Sequence, residues 1–409
     1  MTKQLTAAEV RSAFATRREL ALIDLRSEAR YAAAHPLFAS QFTIEQLLRD
    51  AEERLPRRDV PVVLYDDGEG QASDAAAQLT KLGYTEVHVL ANDLAGWRAA
   101  GFELFQDVNS YSKAFGELVE SRRHTPSLSA PELLALIDQR ADIAVLDARR
   151  YDEYNTMSIP TGTSVPGAEL VLRARAIAPD PSTTVVVNCA GRTRSIIGAQ
   201  SLINAGLPNK VLALRNGTIG WTLAGQSLET GQTRRAPLAA AEITREAQTR
   251  ARAVSYRAGV RRIDPSELAA LTRDTRRTLY RFDVRTPEEY AAGHVPDFTS
   301  TPGGQLVQET DMVAPVRGAR IVLADDLYAR ADMTASWLAQ MGWEVYVLQG
   351  GDYNDRKPQT PRPRPTTGRY KRPYEGTDNP TAAMQAYLEW EYGLVAQLER
   401  DGSHGFFVI

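Results

Sequence analysis

The alternation of hydrophobic and polar positions repeats three times along the 409 residues of the chain. Each repeat begins with a short apolar run that ends in Asp-x-Arg, and two further apolar runs follow it. Short runs rich in Val, Ile and Leu predict strands, whereas the stretches between them carry apolar residues at helical spacing. This alternation indicates α/β domains, each with a mostly parallel sheet and helices on both faces. The predicted first strands are Leu22–Arg26, Val145–Arg149 and Arg281–Arg285, and the predicted last strands are Val87–Leu90, Val211–Leu214 and Val345–Leu348.

Corresponding positions of the three repeats lie at fixed distances from the Asp of Asp-x-Arg. Eleven residues after it stand His35, Ser158 and His294. Forty-two residues after it, directly behind the second apolar run, stand Asp66, Cys189 and Asp325. Seventeen residues further on stand Gly83, Gly206 and Gly342. A glycine there suits the left-handed conformation that ends a helix. Agreement at these offsets makes chance a poor explanation, and we infer a tandem repeat of one domain.

The single cysteine of the chain, Cys189, stands between the apolar run 185–188 and a predicted helix over Thr193–Ala205. Backbone N–H groups at a helix N-terminus attract an anion, and Arg192 and Arg194 add charged donors beside it. This setting predicts a thiol pKa below the value of about 8.5 of free cysteine, and hence a thiolate nucleophile. A small buried core residue is the alternative interpretation of a lone cysteine. The Gly and Arg content of the loop favours catalysis.

Composition narrows the classes of function. A net charge of −3 provides no field that would attract nucleic acid or a membrane surface. One cysteine excludes an internal disulfide and fits a reducing compartment, and five histidines without ligand spacing indicate no metal site. Residues 1–14 lack the apolar core of a signal peptide, and no apolar run is long enough to span a bilayer. We therefore expect a cytoplasmic protein without a cofactor or metal and without a nucleic-acid or membrane partner.

Segments between and after the repeats have patterns of their own. Asn109–Ser127 is predicted to pack as a helix across a domain junction, and Ala239–Arg262 to form a longer, more solvated helix. Arg356–Glu375, rich in Pro, Arg and Lys, is predicted to be an extended basic strap. Thr381–Arg400 predicts one amphipathic helix, and the apolar run Gly405–Ile409 predicts a strand that begins a truncated fourth copy. The expected domains are 1–108, 109–237 and 238–356, followed by the strap and helix at 357–409.

Several stretches of the repeats resemble a known family. Tyr280–Tyr290, followed by Ala292–Pro296, is similar to the first structural signature of the rhodanese-like sulfurtransferases. Cys189–Ser195 resembles their active-site loop, and Gly217 and Trp221 resemble their closing Gly…Trp segment. The resemblance covers about residues 5–108, 127–230 and 260–352, which is most of the chain. It implies tandem rhodanese-like domains of the thiosulfate sulfurtransferase type.

The resemblance also implies an enzyme with two half-reactions. Cys189 would take the outer sulfur of a small anionic donor such as thiosulfate as a persulfide. Cyanide, a small thiol or a protein cysteine would then accept the sulfur. The predicted substrate-binding residues are Ala190, Gly191, Arg192, Thr193, Arg194 and Ser195. Alternatives are that one arginine pairs with a neighbouring copy and that Thr193 and Ser195 cap the helix.

The three copies are not equivalent as enzymes. Asp66 and Asp325 occupy the position of Cys189 in the outer copies. A carboxylate cannot carry the sulfur atom and opposes an anion in the same place, so we expect the outer copies to be catalytically silent. Asp147 and Arg149 have counterparts in those copies and therefore predict a pair that stabilises the fold.

Departures from the family pattern leave the substrate open. Ser158 replaces the usual His of the first signature, and Asn216-Gly217 replaces a common Gly-Gly pair. A phosphatase or arsenate reductase is one alternative, although such loops place the catalytic Arg six residues after the cysteine, where this chain has Ser195. A persulfide sensor without turnover and an interaction scaffold are further alternatives. The oligomeric state also stays open.

Overall fold

A computed structural model describes residues 3–359, 368–372 and 374–409 of the chain. The first repeat contains β1 (Lys3–Leu5), α1 (Ala7–Ala15), β2 (Leu20–Asp24), α2 (Glu28–Ala33), β3 (Ala39–Gln41), α3 (Ile44–Arg54), β4 (Val62–Tyr65), α4 (Gln71–Lys81), β5 (Val87–Leu90) and α5 (Asp93–Ala99), and α6 (Ser110–Arg123) follows it. The second contains β6 (Ser127–Leu128), α7 (Ala130–Asp138), β7 (Ile143–Asp147), α8 (Tyr151–Thr156), β8 (Thr163–Ser164), α9 (Leu170–Ile177), β9 (Thr184–Asn188), α10 (Thr193–Asn204), β10 (Val211–Leu214) and α11 (Gly217–Leu223).

The third repeat follows the long helix α12 (Ala241–Arg257). It contains β11 (Arg261–Ile263), α13 (Pro265–Arg273), β12 (Leu279–Asp283), α14 (Pro287–Ala292), β13 (Thr299–Ser300), α15 (Gly303–Gln308), α16 (Thr310–Val313), β14 (Val316–Arg317), β15 (Arg320–Ala324), α17 (Ala329–Gln340) and β16 (Glu344–Leu348). The C-terminal segment forms α18 (Pro380–Tyr392) and α19 (Leu394–Asp401). None of the described helices combines the length and the apolar character needed to cross a bilayer.

Each repeat folds around its own sheet of parallel strands, which confirms the predicted fold class. The strand orders are β1-β5-β4-β2 with β3 beside β2, then β6-β10-β9-β7-β8, and then β11-β16-β15-β12-β13. The sequence did not predict β14, a two-residue strand of the third repeat that pairs antiparallel with β2 of the first repeat. This pairing joins the two outer repeats directly.

Alternation along β9 explains why helices cover both faces of the second sheet. Val185 and Val187 pack into one apolar cluster together with Leu202 of α10. Val186 points to the opposite face and packs with Leu133 of α7 and with Trp221. Because both faces are covered, the strand reads as a continuous β-branched run, which is typical of parallel sheets. The carboxyl end of β9 therefore leads straight from a rigid core into Cys189.

Several predicted helices and helix ends agree with the structure, whereas the long helix α12 differs in its burial. Helix α10 begins at the predicted Thr193. The glycines at the ends of the corresponding helices have positive φ angles of 93° at Gly83, 67° at Gly206 and 85° at Gly342. Helix α6 confirms the junction helix, since it packs on α10 of the second repeat and α15 of the third. Helix α12 is less solvated than predicted, because Ala247, Ala251 and Val254 are buried where it packs on α17.

The C-terminal segment differs from its predictions. The single predicted helix is broken at Gly393 into α18 and α19. Residues 405–409 form no strand, because they lie along helix α17, where Gln340 accepts hydrogen bonds from the backbone N–H groups of Phe407 and Ile409 at 2.9 and 3.0 Å. These residues therefore do not begin a fourth sheet. Much of the predicted strap, at 360–367 and 373, lies outside the described residues.

Candidate active site

Cys189 lies directly after β9 and four residues before α10 begins, and it is 2% exposed. Its Sγ donates a hydrogen bond to Oγ of Ser195 at 3.4 Å. The Ser195 hydroxyl in turn donates to the backbone carbonyl of Arg192 at 2.8 Å, which closes the loop on itself. The predicted catalytic cysteine thus sits at the bottom of a tight turn formed by residues 189–195, which we call the cysteine loop.

The backbone N–H groups of Gly191 and Ser195 lie near the Cys189 sulfur and act to lower the pKa of the thiol. Burial raises the pKa of Cys189, and the opposing effects of the Arg194 charge, the Ser195 hydroxyl and these N–H groups do not outweigh it. The prediction of a lowered thiol pKa is therefore wrong for the free protein. A thiolate in so buried a position loses more hydration than the loop replaces.

The segment that opens α11 supports the cysteine loop from behind. N–H groups of Thr218 and Ile219 donate to the carbonyls of Cys189 and Ala190, both at 2.9 Å. Gly217 has a φ of +52°, and a Cβ at this position would lie 2.3 Å from the Cys189 carbonyl oxygen. Only glycine permits this close approach, which explains the Gly of the predicted Gly…Trp segment.

The counterpart of the cysteine loop in the third repeat holds an anion. Asp325 stands in the place of Cys189, and Oδ1 of its fully buried carboxylate accepts the N–H of Leu327 at 3.2 Å. Oδ2 accepts the N–H groups of Arg330 and Ala331 at 2.9 and 3.2 Å. These donors stand two, five and six residues after Asp325, so the turn forms a cradle for negative charge.

The first repeat uses the same cradle. Asp66 is 2% exposed and accepts the N–H of Gly68 at 3.0 Å and that of Ala72 at 2.8 Å. These donors stand two and six residues after Asp66, just as Gly191 and Ser195 stand two and six residues after Cys189. In both outer repeats a carboxylate of the chain itself occupies the cradle, whereas the second repeat places a thiol there.

Arg194 is the charged group that faces the cradle of the second repeat. It forms a two-pronged ion pair with Glu153 at 2.7 and 3.0 Å. Burial alone would raise the pKa of Glu153, but Arg194 outweighs it and lowers that pKa to about 2, so the pair is ionised at neutral pH. The equivalent Arg330 pairs with Glu289 at 2.6 Å and also reaches Oδ1 of Asp325 at 2.8 Å. The third repeat thus displays an arginine and an anion together in this cradle.

Arg192 and Thr193 of the cysteine loop have structural partners. Arg192 binds both carboxylate oxygens of Glu117 on α6, at 2.7 and 2.8 Å, and stacks on the ring of Tyr392, 4.1 Å from its centroid. Thr193 packs against Gly116 of α6, where a Cβ would approach its Cγ2 to 2.7 Å. Arg192 therefore forms its ion pair with the junction helix α6, and not with a neighbouring copy as the alternative expected. Among the predicted residues, the structure brings Gly191, Arg194 and Ser195 to the sulfur.

Sequence comparison places these repeats in a family. The model of the rhodanese-like domain matches residues 6–100, 129–224 and 264–353, one match for each repeat. The chain belongs to the rhodanese-like family. The matched rhodanese-like domains coincide with the three sheets, and the cysteine loop lies in the second of them.

Two proteins similar to this chain are described as thiosulfate sulfurtransferases. The crystal structure of thiosulfate sulfurtransferase from Pseudomonas aeruginosa is 48% identical, with a TM-score of 0.96, and the match covers 100% of both chains. Thiosulfate sulfurtransferase from Azotobacter vinelandii is 29% identical over 198 residues, which are 44% of this chain and 72% of that protein. The first of these shares the arrangement of the whole chain.

The Asp-x-Arg tripeptide fulfils a structural role in each rhodanese-like domain. In the second, Arg149 donates to both oxygens of Asp147 at 2.9 and 2.7 Å, and Asn188 donates to the same carboxylate at 2.9 Å. The pairs in the outer domains, Asp24 with Arg26 and Asp283 with Arg285, have the same geometry. These buried pairs connect the ends of strands β2, β7 and β12 to the turns that follow them, which supports the predicted stabilising role.

The signature histidine is also a packing residue in this chain. His35 and His294 stack on Tyr31 and Tyr290, with ring centroids 3.7 and 3.8 Å apart. Burial lowers the pKa of His35 to about 3, so its ring is neutral. Ser158, which replaces the histidine in the second rhodanese-like domain, is fully buried in the corresponding place. This substitution therefore changes packing and lies away from the cradle.

The C-terminal segment contributes to the site in a way that sequence reasoning missed. A cavity of about 710 Å³ opens at Ala190, Gly191 and Arg194 and is lined by all three rhodanese-like domains and by this segment. Helix α18 brings Glu391 and Tyr387 against Gly191. The sequence predicted an amphipathic helix in this segment, but a local pattern carries no information about the surface on which a helix docks.

Proposed function

We propose that the second rhodanese-like domain transfers a sulfane sulfur from thiosulfate, or a similar anionic donor, to a thiophilic acceptor through a persulfide on Cys189. The descriptions of both similar proteins as thiosulfate sulfurtransferases support this function. The observation that carries it is the equivalent cradle of the third domain. There the backbone N–H and the guanidinium group of Arg330 donate to the carboxylate of Asp325. A cradle that holds a carboxylate offers the same kind of donors to an anionic sulfur species.

The proposed chemistry balances without any oxidant or reductant. The Cys189 thiol first loses its proton to solvent, and the thiolate attacks the outer sulfur of thiosulfate. An S–S bond forms to Cys189 while the bond to the sulfonate sulfur breaks, and sulfite leaves with that electron pair. Cyanide or a thiolate then attacks the outer sulfur of the persulfide, and the electron pair of the S–S bond returns to the Cys189 sulfur.

The loop residues have distinct roles in this proposal. N–H groups of Gly191 and Ser195 hold the anionic outer sulfur, as their counterparts hold the Asp325 carboxylate. Arg194 binds the sulfonate oxygens by charge-assisted hydrogen bonds. Arg192, together with Ala190 and Thr193, keeps the loop in shape through α6 and α11. We propose that the outer domains, 1–108 and 238–356, are catalytically silent scaffold around the catalytic domain at 109–237, since their cradles are filled by Asp66 and Asp325.

The two loop arginines provide a matched test of these roles. We expect Arg194→Met to raise the KM for thiosulfate by about 10-fold or more, because a partly buried charged hydrogen bond to the anion is lost. Arg192→Met should change this KM less. It should instead lower the free energy of unfolding by about 3 kcal/mol, because the buried Glu117 loses its partner.

Steady-state kinetics with thiosulfate and cyanide, and urea denaturation of the same variants, measure both effects. The assignment of the two arginines is contradicted if Arg192→Met raises the KM for thiosulfate as much as Arg194→Met does. A loss of folding in Arg194→Met would be visible in the denaturation curve, and the conservative Arg194→Lys then serves as the kinetic variant.

A further inference from the structure

Helix α18 brings a buried carboxyl group to the cysteine loop. Glu391 is 1% exposed, and a Cβ built at Gly191 would lie 3.4 Å from its Oε2 and 3.7 Å from the ring of Tyr387. The Tyr387 hydroxyl donates to Oε1 at 3.1 Å, whereas Oε2 receives no hydrogen bond from any residue that the structure describes. A buried carboxylate oxygen without a donor is costly, so this group is more than an anchor of the helix.

The cations around Glu391 are already paired with other carboxylates. Lys113 and Glu117 of α6 and Arg192 of the cysteine loop are the charged groups that act on it. Lys113 lies 2.9 Å from Oδ2 of Asp107, and Arg192 holds Glu117 at 2.7 and 2.8 Å. The surroundings of Glu391 are therefore close to neutral in sum, and an ionised Glu391 adds an uncompensated negative charge beside Gly191.

Burial raises the pKa of Glu391 to about 7, and the negative charge of Glu117 adds to the rise. Lys113, the hydroxyl of Tyr387 and Arg192 act in the opposite direction but do not cancel it. The carboxyl group therefore changes from neutral to charged within the physiological pH range. Gly191, against which it packs, is two residues from Cys189 and supplies one of the N–H donors of the cradle.

We propose that Glu391 is a positioning residue that makes donor binding at Cys189 depend on pH, because its ionised carboxylate against Gly191 opposes a second anion in the cradle. The inference rests on the proposed function. When Glu391 is neutral, the donor anion is attracted by the full positive potential of the cradle and of Arg194. A charged Glu391 reduces that potential through the loop, since like charges in a poorly hydrated region repel strongly. The C-terminal helix thereby becomes part of the active site of the second domain.

The test compares Glu391→Gln with the wild-type protein across pH. Glutamine keeps the shape of the side chain but carries no charge, so we expect the ratio of kcat/KM for thiosulfate, variant over wild type, to rise about fivefold between pH 6 and pH 8.5. Ionisations that the charge of Glu391 does not influence cancel in this ratio. Glu389→Gln on the same helix, where the side chain is exposed, should give a ratio that is constant with pH.

Tyr387→Phe is a second test variant, and the direction of its effect on the pH dependence of kcat/KM can be predicted. Loss of the hydroxyl donor raises the pKa of Glu391 further, so the ratio of kcat/KM for thiosulfate, Tyr387→Phe over wild type, should be highest near neutral pH, where Glu391 of the wild type is already partly charged. A ratio for Glu391→Gln that stays constant with pH in an active protein would overturn the inference and leave the proposed function intact. Absence of sulfur transfer in the wild type would overturn both.

Discussion

Replacing Cys189 by alanine is expected to reduce thiosulfate-to-cyanide transfer to the uncatalysed background, a loss of at least about 10³-fold in kcat. In the proposed mechanism the sulfur atom carries the covalent intermediate, and the chain has no other cysteine that could substitute for it. The remaining cradle can still bind an anion but cannot form a bond to sulfur. Formation of thiocyanate from thiosulfate and cyanide measures the effect.

The folding of Cys189→Ala serves as the control for this prediction. The substitution removes one buried atom and no hydrogen bond that fastens the sheet, so the urea midpoint should stay close to that of the wild type. Transfer activity that persists in the folded variant would contradict the assignment of the nucleophile. Hydrolysis of an aryl phosphate by the wild type, absent in Cys189→Ala, would favour the phosphatase alternative instead.

Arg330→Met is expected to cause the largest loss of stability, about 3–5 kcal/mol in the free energy of unfolding of the third domain. Arg330 is fully buried and joins Asp325 at 2.8 Å and Glu289 at 2.6 Å to Glu169 of the second domain at 2.9 Å. Without the guanidinium group these carboxylates repel one another across the domain interface. Urea denaturation followed by tryptophan fluorescence measures the loss.

The pH dependence of this loss has a definite sign. Arg330 holds the pKa of Glu289 below its usual value, against the effect of burial. Without Arg330 burial raises this pKa, so the penalty is present at high pH and falls as the pH drops and Glu289 becomes protonated. The difference from wild type should therefore be smaller at pH 5 than at pH 8. Arg276→Met, at an exposed ion pair with Asp274, is the control and should leave the denaturation curve unchanged. Equal stability of Arg330→Met and wild type would contradict the role of Arg330 as interface anchor.

Much of the fold follows from local pattern repeated three times. The β-branched run before Cys189 and the apolar positions of α10 each encode one element, and the repetition of the Asp-x-Arg offset fixes how the elements follow one another. Because the pattern is repeated, the elements assigned in one copy can be checked against those assigned in the other two. For this reason the three central strands of each sheet, the junction helix α6 and the place of Cys189 at a strand end were predictable, whereas the outer strands of each sheet were not predicted.

The parts that sequence reasoning missed depend on contacts between distant segments. Glu117 meets Arg192 across 75 positions, and Tyr392 meets it across 200. The periodicity within each segment contains no information about such a long-range contact. The same holds for β14, whose two residues are too few to show a pattern of their own.

The thiol pKa shows how burial can reverse a local argument. The donors predicted for the cysteine loop are present at Gly191 and Ser195, yet the pKa of Cys189 is raised because the sulfur is shielded from water. Helices α6, α11 and α18 contact the cysteine loop, and the sequence of the loop contains none of them. The local sequence thus shows groups that lower the thiol pKa but not the burial that outweighs them.

The most direct test of a persulfide at Cys189 is the intact mass of the protein after incubation with thiosulfate in the absence of reductant. A mass gain of one sulfur atom in the wild type is expected, lost on addition of cyanide and absent in Cys189→Ala. Because the chain has one cysteine, the added sulfur has a single thiol to which it can attach. An unchanged mass in the folded wild type, or the same gain in Cys189→Ala, would contradict sulfur transfer through Cys189.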